Sequence, residues 1–202
     1  MNESFLKNIH VAHFIGIGGI GVSAVARLML SRGVKVSGSD RDRSLITEKL
    51  EEEGAKVFVG HDAKHLPEKC DLVVYSPAVP DENPELVVAL ERGVQALSYP
   101  EALGMISRGM RTVAVAGTHG KTTTTAMIAG VLLGAHKDPT VIVGSLLKSG
   151  TNFISGKSDL FVVEACEYKR SFVQLSPEIL VITNIDNDHL DRNKAVYVTL
   201  TN

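Results

Sequence analysis

The stretch Thr112-Val-Ala-Val-Ala-Gly-Thr-His-Gly-Lys-Thr-Thr-Thr-Thr125 limits what this chain can fold into more than any other. A β-branched apolar run ends at Ala116 in a tight glycine turn, and an apolar helical pattern follows through Leu133. The order is strand, phosphate loop, helix. Backbone N–H groups around Gly117, Thr118, His119 and Gly120 can converge on an oxyanion, and the helix opening near Lys121 adds its positive dipole end. Lys121 is then placed to reach the β/γ-phosphates of a nucleotide, and the Thr122 hydroxyl to hold Mg²⁺. A plain strand–turn–helix crossover with a chance lysine is the alternative. The usual loop, Gly-x-x-x-x-Gly-Lys-[Ser/Thr], would have its first glycine at Val115, so the turn is a shorter form.

A second glycine turn lies near the start. Val11–Ile15 is a buried-strand pattern followed by Gly16-Ile-Gly-Gly-Ile-Gly21 and a helix to about Arg32; Val34–Asp40 is the next strand. Gly16, Gly18 and Gly21 match Gly-x-Gly-x-x-Gly at a strand-to-helix turn, and Asp40 lies at the distance the dinucleotide fingerprint expects. Gly16 permits the tight turn, Gly18 a close approach of phosphate and Gly21 close helix packing. The ligand expected is diphosphate-bearing; a purely structural turn is the alternative.

Between and beyond these loops the pattern alternates. Helices are expected over 44–53, 84–92 and 100–107, and strands over 55–59, 71–75, 94–97, 140–144, 160–164 and 179–185. Strands separated by helices predict an α/β fold with a doubly wound parallel sheet, whose ligands bind at the C-terminal ends of strands. Gly18, Asp40, His61 and Ser76 all fall at such ends. Ser107-Arg-Gly-Met-Arg111 breaks the chain into a first domain, residues 1–108, and a second, 109–202.

Composition narrows the function classes. The 202 residues are 44% hydrophobic and 22% charged, and the net charge of -2 offers no electrostatic case for nucleic acid or an anionic membrane as partner. Cys70 and Cys166, far apart, suggest a reducing compartment. The apolar stretch from Val11 to Leu30 lacks the basic leader and cleavage site of a signal segment, so a cytoplasmic protein is expected.

In the second half, Leu160-Phe-Val-Val-Glu164 delivers a carboxylate at the end of a buried strand. That is where a Mg²⁺ ligand beside a phosphate loop belongs, although a solvated strand-end acid reads the same. Asp186-Asn-Asp-His-Leu-Asp191 is dense in oxygen and nitrogen donors. His189 in it could be a metal ligand, a proton-transfer group or an ordinary loop histidine.

Taken in order, Gly16–Ala24, Ser37-Gly-Ser-Asp40, Ser76-Pro-Ala-Val-Pro80, Gly117–Thr125, Val163-Glu-Ala165 and Thr183-Asn-Ile-Asp186 with Asp188-His189 resemble the Mur ligases, in particular their alanine-adding branch. The likeness runs from about residue 10 to residue 191. It implies a Rossmann-like first domain that holds a UDP-sugar rather than NAD, then a P-loop ATPase-type central domain, here truncated, with the C-terminal domain absent. It implies Gly18, Gly19, Ile20, Gly21, Asp40 and Ser76 at the UDP-sugar site. ATP is expected on Gly117, Thr118, His119, Gly120, Lys121, Thr122 and Thr123, with Lys121 and His119 catalytic. Thr122, Glu164 and His189 are expected to hold Mg²⁺. The implied substrates are UDP-N-acetylmuramate, L-alanine and ATP, joined through an acyl phosphate in peptidoglycan biosynthesis. Cys166 departs from the pattern, standing where many relatives carry an acid.

Other readings stay open on the sequence. One is a ligase of the same family that reattaches a recycled peptide to UDP-muramate. Another is an NAD-dependent oxidoreductase using the first loop, which leaves the second unexplained. A third is a UDP-sugar-binding fragment without catalytic activity.

Overall fold

In a computed structural model that describes residues 8–146, 150–166 and 168–186, the chain builds two five-stranded sheets. The first is wholly parallel, in the order β3-β2-β1-β4-β5, from β1 (Val11–Ile15), β2 (Lys35–Asp40), β3 (Lys56–Val59), β4 (Leu72–Tyr75) and β5 (Gln95–Ser98). The crossovers are α1 (Ile20–Ser31), α2 (Leu45–Glu52), α3 (Pro84–Glu91) and a 3₁₀ turn at Ala63–His65. Strand order reverses at β1, so the crevice between the ends of β1, β2 and β4 is the topological switch point where ligands of such sheets bind.

The second sheet has the order β10-β6-β9-β7-β8. Its strands are β6 (Arg111–Ala116), β7 (Thr140–Ile142), β8 (Phe153–Ile154), β9 (Leu160–Glu164) and β10 (Ile179–Ile182). All neighbours are parallel except β7 and β8. The chain passes between the sheets through α4 (Tyr99–Arg108), and α5 (Lys121–Gly134) follows β6. β10 is an edge strand, and its Ile179, Leu180 and Ile182 are exposed.

Local chemistry places the helix ends. Ser44 and Thr47 form a capping box at the start of α2. The Asn83 side chain accepts from the amides of Glu85 and Leu86 at the start of α3, whose first residue is Pro84. At α4 the Glu101 carboxylate accepts from the Ser98 amide at 2.8 Å.

The core does not stop at the break between sheets. Phe14, Val25, Leu28 and Met29 of the first unit, with Leu103 and Ile106 of α4, belong to one buried cluster with Ala114, Ile142, Phe153, Phe161 and Val163 of the second. Along β9 the faces alternate: Phe161 and Val163 point to this seam, while Val162 packs with Ala129 and Val141 under α5. The seam also carries polar links. Arg27 on α1, only 3% exposed, donates from Nη1 to Asn152 Oδ1 at 2.9 Å and from Nε to both Glu53 oxygens, at 2.8 and 3.0 Å. Asn152 Nδ2 in turn donates to the Ile20 carbonyl in the first turn of α1. Arg32 reaches the Gly156 carbonyl at 3.1 Å, and Lys49 that of Gly150 at 3.1 Å.

Two expected strands end early, each for a local reason. The strand expected over 140–144 stops at Ile142, because Val143 donates to the Asn152 carbonyl and Gly144 to Glu164. The strand expected over 179–185 stops at Ile182, because Thr183 and Asn184 turn onto the loop after β6.

Candidate functional site

The first glycine loop is held by the end of β2. Gly16 and Ile17 donate to the Ser39 carbonyl at 2.8 and 3.0 Å, and Gly18 donates to Asp40 Oδ2 at 2.7 Å. Gly19 is the N-cap of α1 and Ile20 its first residue. Gly16 takes a φ of 78°, and a Cβ there would lie 3.0 Å from the Ser76 Cβ. Ser76, at the exit of β4, thus sits against the turn itself. A Cβ on Gly21 would fall 2.5 Å from Cζ of Tyr99, whose ring occupies that gap. The structure therefore brings Gly18, Gly19, Ile20, Gly21, Asp40 and Ser76 around one strand-end crevice. Of the four strand-end residues noted from the sequence, His61 behaves differently: its Nδ1 faces Ser39 Oγ and Glu85, a buried group.

The second loop is strapped to the end of β10. Thr118 donates its amide to the Asn184 carbonyl at 3.2 Å, and His119 donates to Asn184 Oδ1 at 3.0 Å. The His119 carbonyl accepts from Thr183 Oγ1 at 2.6 Å and from Asn184 Nδ2 at 3.1 Å. Gly117, with φ 131°, lies where any side chain would collide with Thr183. Thr118 and His119 give their amides to Asn184, which leaves the first-turn amides of α5 as the donors that could take an anion. That helix begins at Lys121 after Gly120, which is in the left-handed conformation and provides no side-chain cap.

Lys121 Nζ donates to the carbonyls of Gly117 at 2.7 Å and Thr118 at 3.1 Å, which keeps the ammonium over the loop. Thr122 Oγ1 donates to Glu164 Oε2 at 2.8 Å, and Gly144 donates its amide to the same oxygen at 2.8 Å. A hydroxyl and a carboxylate side by side below a phosphate loop are hard oxygen donors, and they suit Mg²⁺ completed by phosphate and water. Among the described residues no group of three His, Cys, Asp or Glu is placed to hold a metal ion, and Thr122 with Glu164 is the oxygen pair beside this loop. His189, the third expected ligand, lies outside the described residues. The side chains of His119 and Thr123 are exposed beside the loop.

Tyr99 stands between the two loops. Its hydroxyl is pushed above its ordinary value by burial, and further by the negative charge of Cys166 and Glu164. No disulfide links Cys70, half-buried, to Cys166, exposed. No helix of the described residues is long and apolar enough to cross a membrane.

Sequence comparison finds the Mur ligase family, catalytic domain, over residues 11–111, and the Mur ligase middle domain over residues 115–197. The chain belongs to the Mur ligase family. The second match continues past Asp191, where the likeness was expected to end. The UDP-N-acetylmuramate–L-alanine ligase of Clostridium perfringens is 48% identical over 199 residues, covering 97% of this chain and 43% of that protein. The enzyme of the same name from Clostridium tetani is 46% identical over 198 residues. The chain thus spans less than half the length of these relatives. Among solved structures, this Mur ligase chain superposes with a TM-score of 0.78 on the UDP-N-acetylmuramate–alanine ligase of Thermotoga maritima, at 39% identity over 89% of this chain and 42% of that one. It also superposes with a TM-score of 0.81 on the UDP-N-acetylmuramate:L-alanyl-γ-D-glutamyl-meso-diaminopimelate ligase of Neisseria meningitides, at 30% identity over 91% of this chain and 63% of that one.

Several residues that shape the two loops carry no sequence motif of their own. Tyr99 gave no signal, being one aromatic beside a proline. Thr183 and Asn184 stood only inside a motif of the resemblance. A polar pair at the exit of a strand that neighbours β6 was the available clue.

Proposed function

We propose that this chain contributes the UDP-sugar and ATP sites of a cytoplasmic ligase that joins L-alanine to UDP-N-acetylmuramate in peptidoglycan synthesis. The observation that carries the reading is the second loop, where Lys121, Thr122 and Glu164 come together at the start of α5. A diphosphate-type glycine loop lies across the seam in the same chain. An NAD-dependent oxidoreductase has no use for this second site.

The chemistry needs both sites. A carboxylate resists attack by an amine because its own charge repels the nucleophile. Transfer of the γ-phosphoryl group of ATP to the muramate carboxylate breaks the bond to ADP and forms an acyl phosphate. The alanine amine then adds to its carbonyl carbon, and the tetrahedral intermediate expels phosphate to leave the amide. Lys121 turns from the loop carbonyls to the β/γ-phosphates, and the first-turn amides of α5 hold the phosphate oxygens. Thr122 and Glu164 would hold Mg²⁺, which neutralises phosphate charge when bound. His119, exposed at the loop tip, would face the junction of nucleotide and sugar. Catalysis is then mainly positioning and charge neutralisation.

Alanine rather than a peptide is favoured as the acceptor. The curated relatives named for alanine are 46–48% identical, against 30% for the peptide ligase of Neisseria meningitides. Equilibrium titration of the purified chain with UDP-N-acetylmuramate, Mg²⁺-ATP and NAD tests the reading. Binding of the first two without NAD is expected; preference for NAD overturns it.

A further inference from the structure

Outside both loops, the first residues of α3 bury a carboxylate. Glu85 has no solvent exposure. Its Oε2 accepts from His13 Nε2 at 2.6 Å and from Ser39 Oγ at 2.7 Å. Its Oε1 accepts from the Asp62 amide at 3.2 Å and faces His61 Nδ1 at 3.2 Å and His65 Nδ1 at 3.5 Å. The donors come from β1, from β2 and from the segment after β3. A buried charge is costly unless it is paired and hydrogen-bonded, and a packing role alone would be met by an apolar side chain.

We propose that Glu85 is a positioning residue for the UDP-sugar crevice, setting through Ser39 and His61 the end of β2 that holds the first glycine loop. The proposal rests on the reading of that crevice as the UDP-sugar site.

The proton assignments follow from one constraint. An ionised carboxylate only accepts, so His13 Nε2 and Ser39 Oγ donate to it. Ser39 has then spent its single proton, and its 2.9 Å contact with His61 Nδ1 must run the other way. His61 therefore carries a proton on Nδ1, which also faces Glu85 Oε1. Ser39 is in turn the residue whose carbonyl takes the amides of Gly16 and Ile17, and its neighbour Asp40 takes that of Gly18. Three consecutive loop amides hang on two residues of β2, and Glu85 anchors the first. The titratable groups that face Glu85 are His13 on β1, His61 after β3 and His65 in the 3₁₀ turn, where His65 stacks on Phe58 at 4.2 Å.

Glu85→Gln keeps the volume but replaces one acceptor oxygen by an NH₂ donor, so either His13 and Ser39 on one side or the Asp62 amide and His61 on the other lose their acceptor. In the ligand-free chain, amide exchange at Gly16, Ile17 and Gly18 should accelerate about tenfold, while core amides such as Phe14 and Leu28 keep their rates. Nitrogen-15 spectra of the imidazoles should show His61 losing its Nδ1–H form. Affinity for UDP-N-acetylmuramate should fall about tenfold. Ser39→Ala, which leaves the Glu85–His13 pair intact, should accelerate the same loop amides, and it decides the matter if Glu85→Gln does not fold. Unchanged loop amides in both variants overturn the proposal. So does acceleration of loop and core amides together, which marks a merely structural role. A parent chain that does not bind UDP-N-acetylmuramate overturns the substrate reading instead, and the exchange comparison then judges the positioning role by itself.

Discussion

Replacing Asn152 by alanine is expected to weaken the seam between the two sheets by about 3 kcal/mol. The magnitude comes from what the change strands. Arg27 is 3% exposed, and its Nη2 already lacks a hydrogen-bond partner. Asn152 Oδ1 takes Nη1 at 2.9 Å, leaving Nε to Glu53. Without Asn152 the guanidinium keeps one satisfied nitrogen in a buried site. A hydrogen bond to a charged group contributes about 1.5–3 kcal/mol, and a stranded buried donor costs about 1–3 kcal/mol. The Ile20 carbonyl loses a donor too, but Ser23 Oγ still donates to it at 2.9 Å, so that loss adds little. The two ranges describe one loss, and its upper end, about 3 kcal/mol, is roughly a 150-fold change in the unfolding constant. It is also about 6–12 °C in Tm for a chain of this size. Urea and thermal unfolding, followed by circular dichroism, read both quantities. The double variant Arg27→Met with Asn152→Leu removes charge and partner together and should regain most of the loss. The reasoning is refuted if Asn152→Ala unfolds within about 0.5 kcal/mol of the parent. It is equally refuted if the double variant is no better than the single one.

Gly21→Ala forces a methyl onto the Tyr99 ring at 2.5 Å; a loss of about 1–3 kcal/mol is expected, with weaker UDP-sugar binding, and an unchanged melting curve would contradict it. Lys121→Ala and Thr122→Ala should each lower the affinity for Mg²⁺-ATP by about tenfold or more while binding of UDP-N-acetylmuramate survives; calorimetric titration of both ligands separates these outcomes. Acid should weaken the fold through Glu85. Burial raises its pKa, but hydrogen bonds from His13 and Ser39 and the charges of His13 and His61 outweigh burial and hold it below the ordinary carboxylate value. Its contribution is present above the unfolded value near 4.5 and is lost as pH falls through the lower folded value. Stability measured against pH should drop less steeply in that acid range for Glu85→Gln than for the parent.

The chain's α/β character and the position of both loops were legible in the sequence. Parallel strands covered on both faces appear as continuous apolar runs, as in Val113–Ala116 and Leu160–Val163, and glycines mark the turns where a side chain would collide. Ser44 and Pro84 stood at the expected helix starts because helix initiation is a matter of nearest neighbours in the chain. The two-residue strand β8 escaped because so short a piece has no periodicity and exists only through its antiparallel pairing with β7. Glu85 looked like an acid in a helix's first turn, normally solvated. It is buried because α3 lays its first turn over His13 and Ser39, which come from 72 and 46 residues earlier. Asn152 meets Arg27 across 125 residues and Asn184 meets His119 across 65, and no local pattern encodes either contact. Hydrophobic periodicity and turn chemistry act over a few residues and so are written in the sequence. The partners that satisfy a buried charge or hold a loop are chosen only when distant elements close the core around them.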